Sequence, residues 1–214
     1  IKGQPHRKHI LTREKAYHGS TYLSASITGK ERDKTAMDIM RDGIHFLSAP
    51  CHFYHPEFST EAEFCDFLVD ELEQKILELG PENIMCFIAE PILASGGVIV
   101  PPTDYNYRCW QMVKKHEITY IADEVVTAFG RLGHWFSSEK VFGIVPDIII
   151  FAKGVTSGYI PMGGYAVSES FLASFSGENI EGCLYSNGYT WGGSPVACAA
   201  ALASWAIIEK AKLL

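Results

Sequence analysis

The sequence predicts an α/β fold built on a largely parallel sheet. Two short apolar runs, Ile118–Ala122 and Ile148–Ala152, support this prediction because each is rich in Ile and ends abruptly at a polar residue. The residues between them are enough for a crossover helix, which is the connection that parallel neighbours need. Other apolar runs alternate with helical periodicity along the chain, as expected of strands and helices in one domain.

Length, composition and charge narrow the class of protein. The chain has 214 residues, 47% of them hydrophobic, which is enough for one domain with a sizeable core. Its net charge is -7 and Lys and Arg form no long runs, which argues against nucleic acid or an anionic membrane as a partner. The longest nearly apolar stretch, Val196–Ile208, is shorter than the roughly 20 residues that span a bilayer. The six cysteines are scattered without a Cys-x-x-Cys pair, so we expect reduced thiols and a cytoplasmic protein.

The first elements follow from apolar periodicity and end signals. His9–Arg13 predicts a short strand, whereas Gly29–Pro56 is weakly periodic and predicts a surface excursion. Glu61–Leu79 predicts an amphipathic helix, because apolar residues recur every four positions along it. Thr60 is its expected N-cap, and Gly80 followed by proline ends it.

A predicted strand and a predicted helix precede the pair of apolar runs. Ile84–Ala89 predicts a buried strand that ends at a glutamate-proline pair. Thr103 is the expected N-cap of a helix that extends to about His116. The predicted apolar side of this helix carries Tyr107, Trp110 and Val113.

Two elements follow the pair of apolar runs. Met162–Val167 predicts a strand that is antiparallel to its neighbour, because the short connection from Lys153 has no room for a helix. Ser194 is the expected cap of an Ala-rich helix that begins at Pro195 and extends to Lys212. The small side chains of this helix permit close packing, as in a dimer interface.

Asp123 and Lys153 follow the two apolar runs and are predicted to meet at the carboxyl edge of the sheet, where ligands bind in such folds. A carboxylate and an amine on neighbouring strand ends can hold a cofactor that has a cationic ring nitrogen and a reactive aldehyde. Pyridoxal phosphate is such a cofactor. Simpler alternatives stay open for both residues, since Asp123 could cap the following helix and Lys153 could start a helix and reach solvent.

Five motifs occur in the order that a known family shows. Together they resemble the class III aminotransferases of pyridoxal-phosphate fold type I. The motifs are AYHGS (Ala16–Ser20), AEP (Ala89–Pro91), IADEVVTAFGRLG (Ile121–Gly133), PDIIIFAKGVTSGYIPMGG (Pro146–Gly164) and NGYTWGGSPVACAAAL (Asn187–Leu202). The resemblance implies that residues 1–214 are the central part of the pyridoxal-phosphate-binding large domain. The family's upstream phosphate loop and its C-terminal small domain have no counterpart here, so we expect the sequence to be partial.

The resemblance also implies roles for individual residues. Lys153 matches the lysine that forms a Schiff base with the cofactor and shuttles the substrate proton. Asp123 matches the aspartate that keeps the pyridinium nitrogen protonated. Tyr17 and Val125 match the residues that cover opposite faces of the cofactor ring.

The remaining matches lie around these groups. His18 and Gly19 complete the loop of Tyr17, with His18 expected to pack or hydrogen-bond rather than to act as a base, and Gly19 expected to permit close backbone approach. Glu90 is expected to organise hydrogen bonds near the cofactor hydroxyl and Asp123. Thr190 matches a threonine that reaches the cofactor phosphate of the neighbouring subunit, which implies a homodimer with shared active sites.

The expected activity is transfer of an amino group from an amine or ω-amino acid to an oxo acid such as pyruvate, through the Lys153 Schiff base. Ser95 favours this group, because members that use glutamate often carry a glutamate at that position. An aminomutase, racemase or decarboxylase on the same fold stays an alternative, as does an inactive fragment or binding scaffold. The cluster from Cys51 to His55 lacks a second pair of ligands at a recognisable spacing, so no metal is expected.

Overall fold

The computed structural model describes residues 4–174 and 188–214, and a single six-stranded sheet organises this part of the chain. The strands are β1 (His9–Arg13), β2 (Ile44–Leu47), β3 (Ile84–Ala89), β4 (Thr119–Asp123), β5 (Ile148–Phe151) and β6 (Gly164–Val167). Their spatial order is β2-β1-β3-β4-β5-β6, and all neighbours are parallel except β5 and β6. The predicted α/β class with a mostly parallel sheet is confirmed.

Helices connect the strands. They are α1 (Tyr22–Ile27), α2 (Glu61–Leu79), α3 (Tyr105–Lys115), α4 (Ser137–Phe142), α5 (Glu169–Ala173) and α6 (Pro195–Lys210). Short 3₁₀ helices lie at Glu31–Asp33, His52–Tyr54, Pro81–Asn83 and Lys153–Thr156. Within the described residues, no helix has both the length and the apolar character that a membrane crossing requires.

The predicted pair of parallel strands is confirmed by β4 and β5, whose register sets Asp123 beside Ile150. The crossover between them carries only the six residues of α4 as α-helix. The antiparallel direction of β6 is also confirmed, with Val167 beside Ile148.

Helix α2 has the predicted bounds. The Thr60 hydroxyl accepts a hydrogen bond from the Glu63 amide at 3.1 Å, and the Glu63 carboxylate accepts one from the Thr60 amide at 3.1 Å. This reciprocal capping satisfies amides that the first turn of a helix leaves unpaired. Gly80 ends the helix at a φ of 78°, a conformation that favours glycine.

Two local predictions are wrong. The stretch Gly29–Pro56 is not only a surface excursion, because it contains β2, which adds a parallel strand next to β1 and buries Leu47. The cap of α3 is Asp104 rather than Thr103, and Asp104 has a positive φ of 63°. The buried side of α3 carries Tyr105, Asn106, Cys109 and Val113, with Tyr107 exposed.

The core lies mainly on one face of the sheet, where α2 and α3 pack over strand residues such as Leu11, Phe87 and Tyr120. The cysteines in this core behave as the sequence predicts, since burial raises the pKa of the Cys109 thiol to about 12 and keeps it neutral. The opposite face carries a smaller apolar cluster around Ile10, Ile44 and Ile88.

Side chains alternate between the two faces of the sheet along each strand, and this alternation shows on which face Asp123 and Thr12 lie. Side chains two positions apart share a face of the sheet. Asp123 therefore lies on the side of Ile121, which packs against the smaller cluster. Thr12 lies on the same side as Ile10, so both polar groups belong to the less covered face.

Helix α6 packs behind the segment that follows β5. Its Trp205 indole donates a hydrogen bond to the Val155 carbonyl at 2.9 Å, and Ser204 bonds Ser157 at 2.6 Å. The Trp205 ring also stacks on Phe129, with centroids 5.9 Å apart. The Ala-rich helix thus supports the turn that begins at Lys153, a role that the sequence did not predict.

Candidate active site

Four of the predicted site residues follow or end neighbouring parallel strands. Tyr17 comes shortly after β1, Glu90 directly follows β3, Asp123 ends β4 and Lys153 lies just after β5. Since the carboxyl ends of parallel strands meet at one edge, the fold brings these residues to the same side of the domain.

Asp123 is the centre of a buried polar pair. Its side chain is 6% exposed, and its Oδ2 lies 2.7 Å from Nδ1 of His18, whose side chain is 1% exposed. An ionised carboxylate only accepts hydrogen bonds, so Nδ1 of His18 carries the hydrogen in this contact. His18 is therefore the hydrogen-bonding residue that the sequence predicts, and its partner is the aspartate itself.

Three further polar contacts surround this pair. Nε2 of His18 lies 3.3 Å from the Thr12 hydroxyl, which donates to the Ile27 carbonyl at 3.1 Å. The other oxygen of Asp123 accepts the Val125 amide at 3.1 Å. This last bond partly fits the capping alternative for Asp123, but the His18 contact gives the carboxylate a second, buried function.

Glu90 holds the loop of Tyr17 in place. Its Oε1 accepts the Tyr17 amide at 2.8 Å, and its Oε2 accepts the Ala94 amide at 3.1 Å. Burial raises the pKa of the Glu90 carboxyl, while the bond from Tyr17 and the nearby His18 act in the opposite direction. The structure thus places Glu90 under the loop as an organiser of hydrogen bonds.

Gly19 occupies a position that a larger residue would strain. Its φ is +127°, and a Cβ at this position would lie 2.7 Å from the Ser24 hydroxyl. The contact is with a side chain, so the close backbone approach expected of Gly19 stays a prediction. Val125 is half-buried and directly follows the motif's acidic pair, so its contact with a cofactor ring stays a prediction.

Lys153 begins a 3₁₀ turn with a positive φ of 39°. Its side chain is exposed, and its amine has no ion-pair partner within the described part of the chain. It borders a cavity of about 400 Å³ together with Phe129 and Arg131. Tyr17 and Asp123 do not line this cavity, so the chain by itself does not enclose Lys153 and Asp123 in one pocket.

Thr190 stands apart from the other site residues. It is exposed in a turn before α6, between Tyr189 and Trp191, which are each 83% exposed. Among the hydrogen bonds of the described residues, none joins Thr190 to the His18–Asp123 pair. Asn187, the first residue of the same motif, lies outside the described residues.

Two charged residues without exposed surface, Arg13 and Glu124, were not predicted from the sequence. Arg13 is fully buried at the end of β1, donates a hydrogen bond to the Glu90 carbonyl and lies 5.8 Å from the ring centroid of Tyr105. Glu124 is also fully buried and accepts five hydrogen bonds. Both residues lie at or directly after the end of an apolar strand, where a charged side chain is either exposed or buried with a partner. That position was the signal in the sequence that could have identified them.

The described residues contain no group of three or more His, Cys, Asp or Glu side chains arranged to hold a metal ion. His52 and His55 instead stack on Phe64, with ring centroids 5.5 and 4.8 Å away.

The sequence profile of the family described as "Aminotransferase class-III" matches residues 1–214. The chain belongs to this family. It is 40% identical over 209 residues to a vanillin aminotransferase from Capsicum frutescens, a match that covers 97% of this chain and 45% of the relative. It is 39% identical over 213 residues to a putrescine–pyruvate aminotransferase from Pseudomonas aeruginosa, covering 100% of this chain and 46% of the relative.

A solved structure supports the fold assignment of this class-III chain. The omega transaminase from Pseudomonas jessenii in complex with PMP superimposes with a TM-score of 0.90 at 37% identity. The match covers 98% of this chain and 46% of that one. The chain spans about half the length of the relatives that it matches.

Class-III aminotransferases use pyridoxal phosphate, and the residues at the sheet edge fit this cofactor. Each Asp123 oxygen accepts one hydrogen bond from the protein, and a carboxylate has capacity for about four. The spare capacity suits a protonated ring nitrogen. Tyr17 supplies an aromatic face and Lys153 an accessible amine, so the set matches a cationic ring that bears an aldehyde.

Proposed function

We propose that the protein containing this chain is a pyridoxal-phosphate-dependent transaminase. It moves an amino group from an amine or ω-amino acid to an oxo acid such as pyruvate. The observation that carries the proposal is the buried contact of Asp123, which ends β4, with His18, which follows β1. The exposed Lys153 amine follows the adjacent strand β5. The putrescine–pyruvate relative supports the choice of substrates.

When bound, the cofactor withdraws electrons from the substrate carbon and carries the amino group between donor and acceptor. Asp123 holds the proton on its ring nitrogen, because a buried carboxylate stabilises a cation at short range. The hydrogen bond from His18 fixes which Asp123 oxygen faces the ring. This bond keeps the carboxylate from rotating away during turnover.

Tyr17 and Val125 orient the ring by covering its two faces, and aromatic stacking contributes about 1 kcal/mol beyond burial. Glu90 acts through Tyr17, since its carboxylate holds the Tyr17 amide. Lys153 would hold the cofactor through its amine, and the same amine would move the proton at the substrate carbon. In this proposal, the Lys153 amine both attaches the cofactor and acts as the base.

The active form is a homodimer in this proposal. Thr190 contributes its hydroxyl to the cofactor phosphate of the partner subunit. The exposed aromatic residues that flank Thr190 and the exposed Val196, Leu202 and Ile207 of α6 support an interface on this side. We also propose a cytoplasmic location, in line with the unpaired state of the cysteines in the described residues.

Lys153→Ala tests this function in the complete gene product. The wild type is expected to show a cofactor absorbance band above 300 nm, which shifts on adding an amine donor, and to form alanine from pyruvate with ping-pong kinetics. The variant is expected to lose alanine formation by at least about 10³-fold. Lys140→Ala, an exposed lysine on α4, is the matched control and should keep both signals.

The products formed from donor alone separate the proposal from its alternatives. One equivalent of pyridoxamine phosphate per active site supports amino transfer. A decarboxylated or racemised donor without pyridoxamine phosphate would assign the protein to another reaction on the same fold. A wild type that binds no cofactor would favour the binding-scaffold alternative.

A further inference from the structure

The turn that follows β3 leaves two buried backbone carbonyls beyond the sheet. The pairing of β3 with β4 ends at Ala89, and Pro91 has no N–H group. Glu90 and Pro91 are both buried. Their carbonyl groups therefore need donors from elsewhere in the chain, because a buried carbonyl without a hydrogen bond is unfavourable.

Two side chains from different elements supply these donors. Nη2 of Arg13, at the end of β1, donates to the Glu90 carbonyl. Nδ2 of Asn106, in the first turn of α3, donates to the Pro91 carbonyl at 2.9 Å. Arg13 is fully buried and Asn106 is 5% exposed. The turn after β3 is thus held at two consecutive carbonyls by groups that water does not reach.

Arg13 is a buried cation without a carboxylate partner among the described residues. None of their ion pairs includes it, and its Nε and Nη1 have no hydrogen-bond partner there. The guanidinium lies 5.8 Å from the ring centroid of Tyr105. Burying an unpaired charge is unfavourable, and folds tolerate such groups mainly where function needs them.

The Glu90 carboxylate extends from the residue whose carbonyl Arg13 holds. Its Oε1 accepts the Tyr17 amide at 2.8 Å, and its Oε2 accepts the Ala94 amide at 3.1 Å. Both bonds depend on where the Glu90 backbone lies. A displaced Glu90 backbone would move the carboxylate away from the Tyr17 amide and release the loop that carries the Tyr17 ring.

Charge acts in the same direction as the hydrogen bond. Burial raises the pKa of the Glu90 carboxyl, and so does Asp123, whereas the Tyr17 amide, His18 and, with the smallest effect, Arg13 lower it. An ionised carboxylate accepts from both amides, but a protonated one sets an O–H group against an N–H group. The main effect of Arg13 is therefore the held carbonyl, to which its charge adds.

We propose that Arg13 is a positioning residue for the cofactor, acting through Glu90 on the loop of Tyr17. The contacts run from Arg13 to the Glu90 carbonyl and from the Glu90 carboxylate to the Tyr17 amide. Arg13 has no exposed surface, so it acts on a bound ring only through these residues. It has this role only if Tyr17 covers the cofactor, so the inference rests on the proposed function.

Amide hydrogen exchange in the complete gene product tests these contacts and needs neither cofactor nor turnover. In Arg13→Met, exchange of the Tyr17 and Ala94 amides is expected to become about tenfold faster. Arg13→Lys keeps the charge and a donor and should restore most of the protection. Arg7→Met is the matched control, because Arg7 donates to the Ile84 carbonyl at 3.0 Å, at the other end of β3. It should leave the exchange of both amides within about twofold of the wild type.

The orientation of bound pyridoxal phosphate gives a second readout. The induced circular dichroism of the cofactor band, divided by the cofactor bound, is expected to decrease in Arg13→Met and to stay unchanged in Arg7→Met. At saturating cofactor, kcat should fall about tenfold with KM for the donor within about threefold, because the ring rather than the donor is misplaced. The double variant with Glu90→Gln should be no worse than Glu90→Gln alone, since both changes act on one contact.

Unchanged exchange of both amides in Arg13→Met, or additive losses in the double variant, would overturn this role of Arg13. Arg13→Gln is too short to reach the Glu90 carbonyl but keeps a polar N–H group. It replaces Arg13→Met if that variant does not fold, with the same expected exchange. An active transaminase whose Tyr17 exchange is independent of Arg13 would refute the inference alone. Arg13-dependent protection in a wild type without amino transfer would refute the proposed function and leave the held loop in place.

Discussion

Glu124 offers the sharpest test of how the loop after β4 is held. Both carboxylate oxygens are engaged, with Oε1 accepting the amide and hydroxyl of Ser138 at 2.9 and 2.6 Å. Oε2 accepts the amide and hydroxyl of Ser137 at 2.6 and 2.7 Å and the Thr127 hydroxyl at 3.1 Å. One buried side chain thus joins the end of β4 to the start of α4.

Replacing Glu124 with Gln keeps the shape and removes the charge. The new NH₂ group faces a backbone N–H of Ser137 or Ser138, and two donors cannot bond each other. The hydroxyls can rotate to accept, but the amide cannot. Losing one charge-assisted hydrogen bond and leaving one buried amide unpaired costs about 3 kcal/mol in the free energy of unfolding.

Urea unfolding of the cofactor-free protein, followed by circular dichroism, measures this change without stabilisation by ligand. Glu139→Gln is the matched control, because Glu139 is exposed on the same helix and should change the free energy of unfolding by less than about 0.5 kcal/mol. A loss below about 1 kcal/mol for Glu124→Gln would refute the argument that the charge of this carboxylate organises the loop.

Two further predictions concern the sheet. Gly29→Ala should destabilise the protein by more than about 3 kcal/mol, because its Cβ would meet backbone atoms that cannot move. Gly188→Ala, where no atom of the described residues lies within 4 Å of the added Cβ, should be nearly neutral. Thermal melts compare the two variants, and similar melting temperatures would contradict the prediction. Burial, the neighbouring His9 and Lys75 lower the pKa of His45 below its ordinary 6.5, against a smaller opposite effect of Glu78. The unfolded chain then binds the proton more readily, so this contribution to stability is present above about pH 6.5 and is lost as the pH falls. His45→Asn should flatten the dependence of the urea midpoint on pH below about pH 6.5, and an unchanged slope there would exclude His45 as its source.

The sequence predicted those parts of the fold whose signal is local. Helix α2 repeats apolar residues over many turns and carries its own capping residues, so its bounds were predictable. Strands β4 and β5 are continuous apolar runs, as buried parallel strands usually are. Strand β2 has only four residues, one of them a histidine, so its own sequence pattern does not predict a strand. It forms a strand because it pairs with β1.

In the candidate site, too, the features with a local sequence signal were predictable and the contacts between distant residues were not. The positions of Asp123 and Lys153 at strand ends were predictable because each directly follows an apolar run. The contact between His18 and Asp123 depends on where two strands lie in the sheet, which no local pattern reports. The bond from Arg13 to the Glu90 carbonyl, 77 residues apart in the chain, depends on the pairing of β1 with β3 in the folded sheet.

The His18–Asp123 bond joins residues 105 positions apart, and β3 lies between the strands that carry them. The bond can form only when three strands have adopted their final order and register. Such distant contacts form late in folding, because the chain must close a long loop before the contact can stabilise it. The ring-nitrogen site would therefore be absent from partly folded chains, and cofactor capture would select molecules whose sheet is already complete.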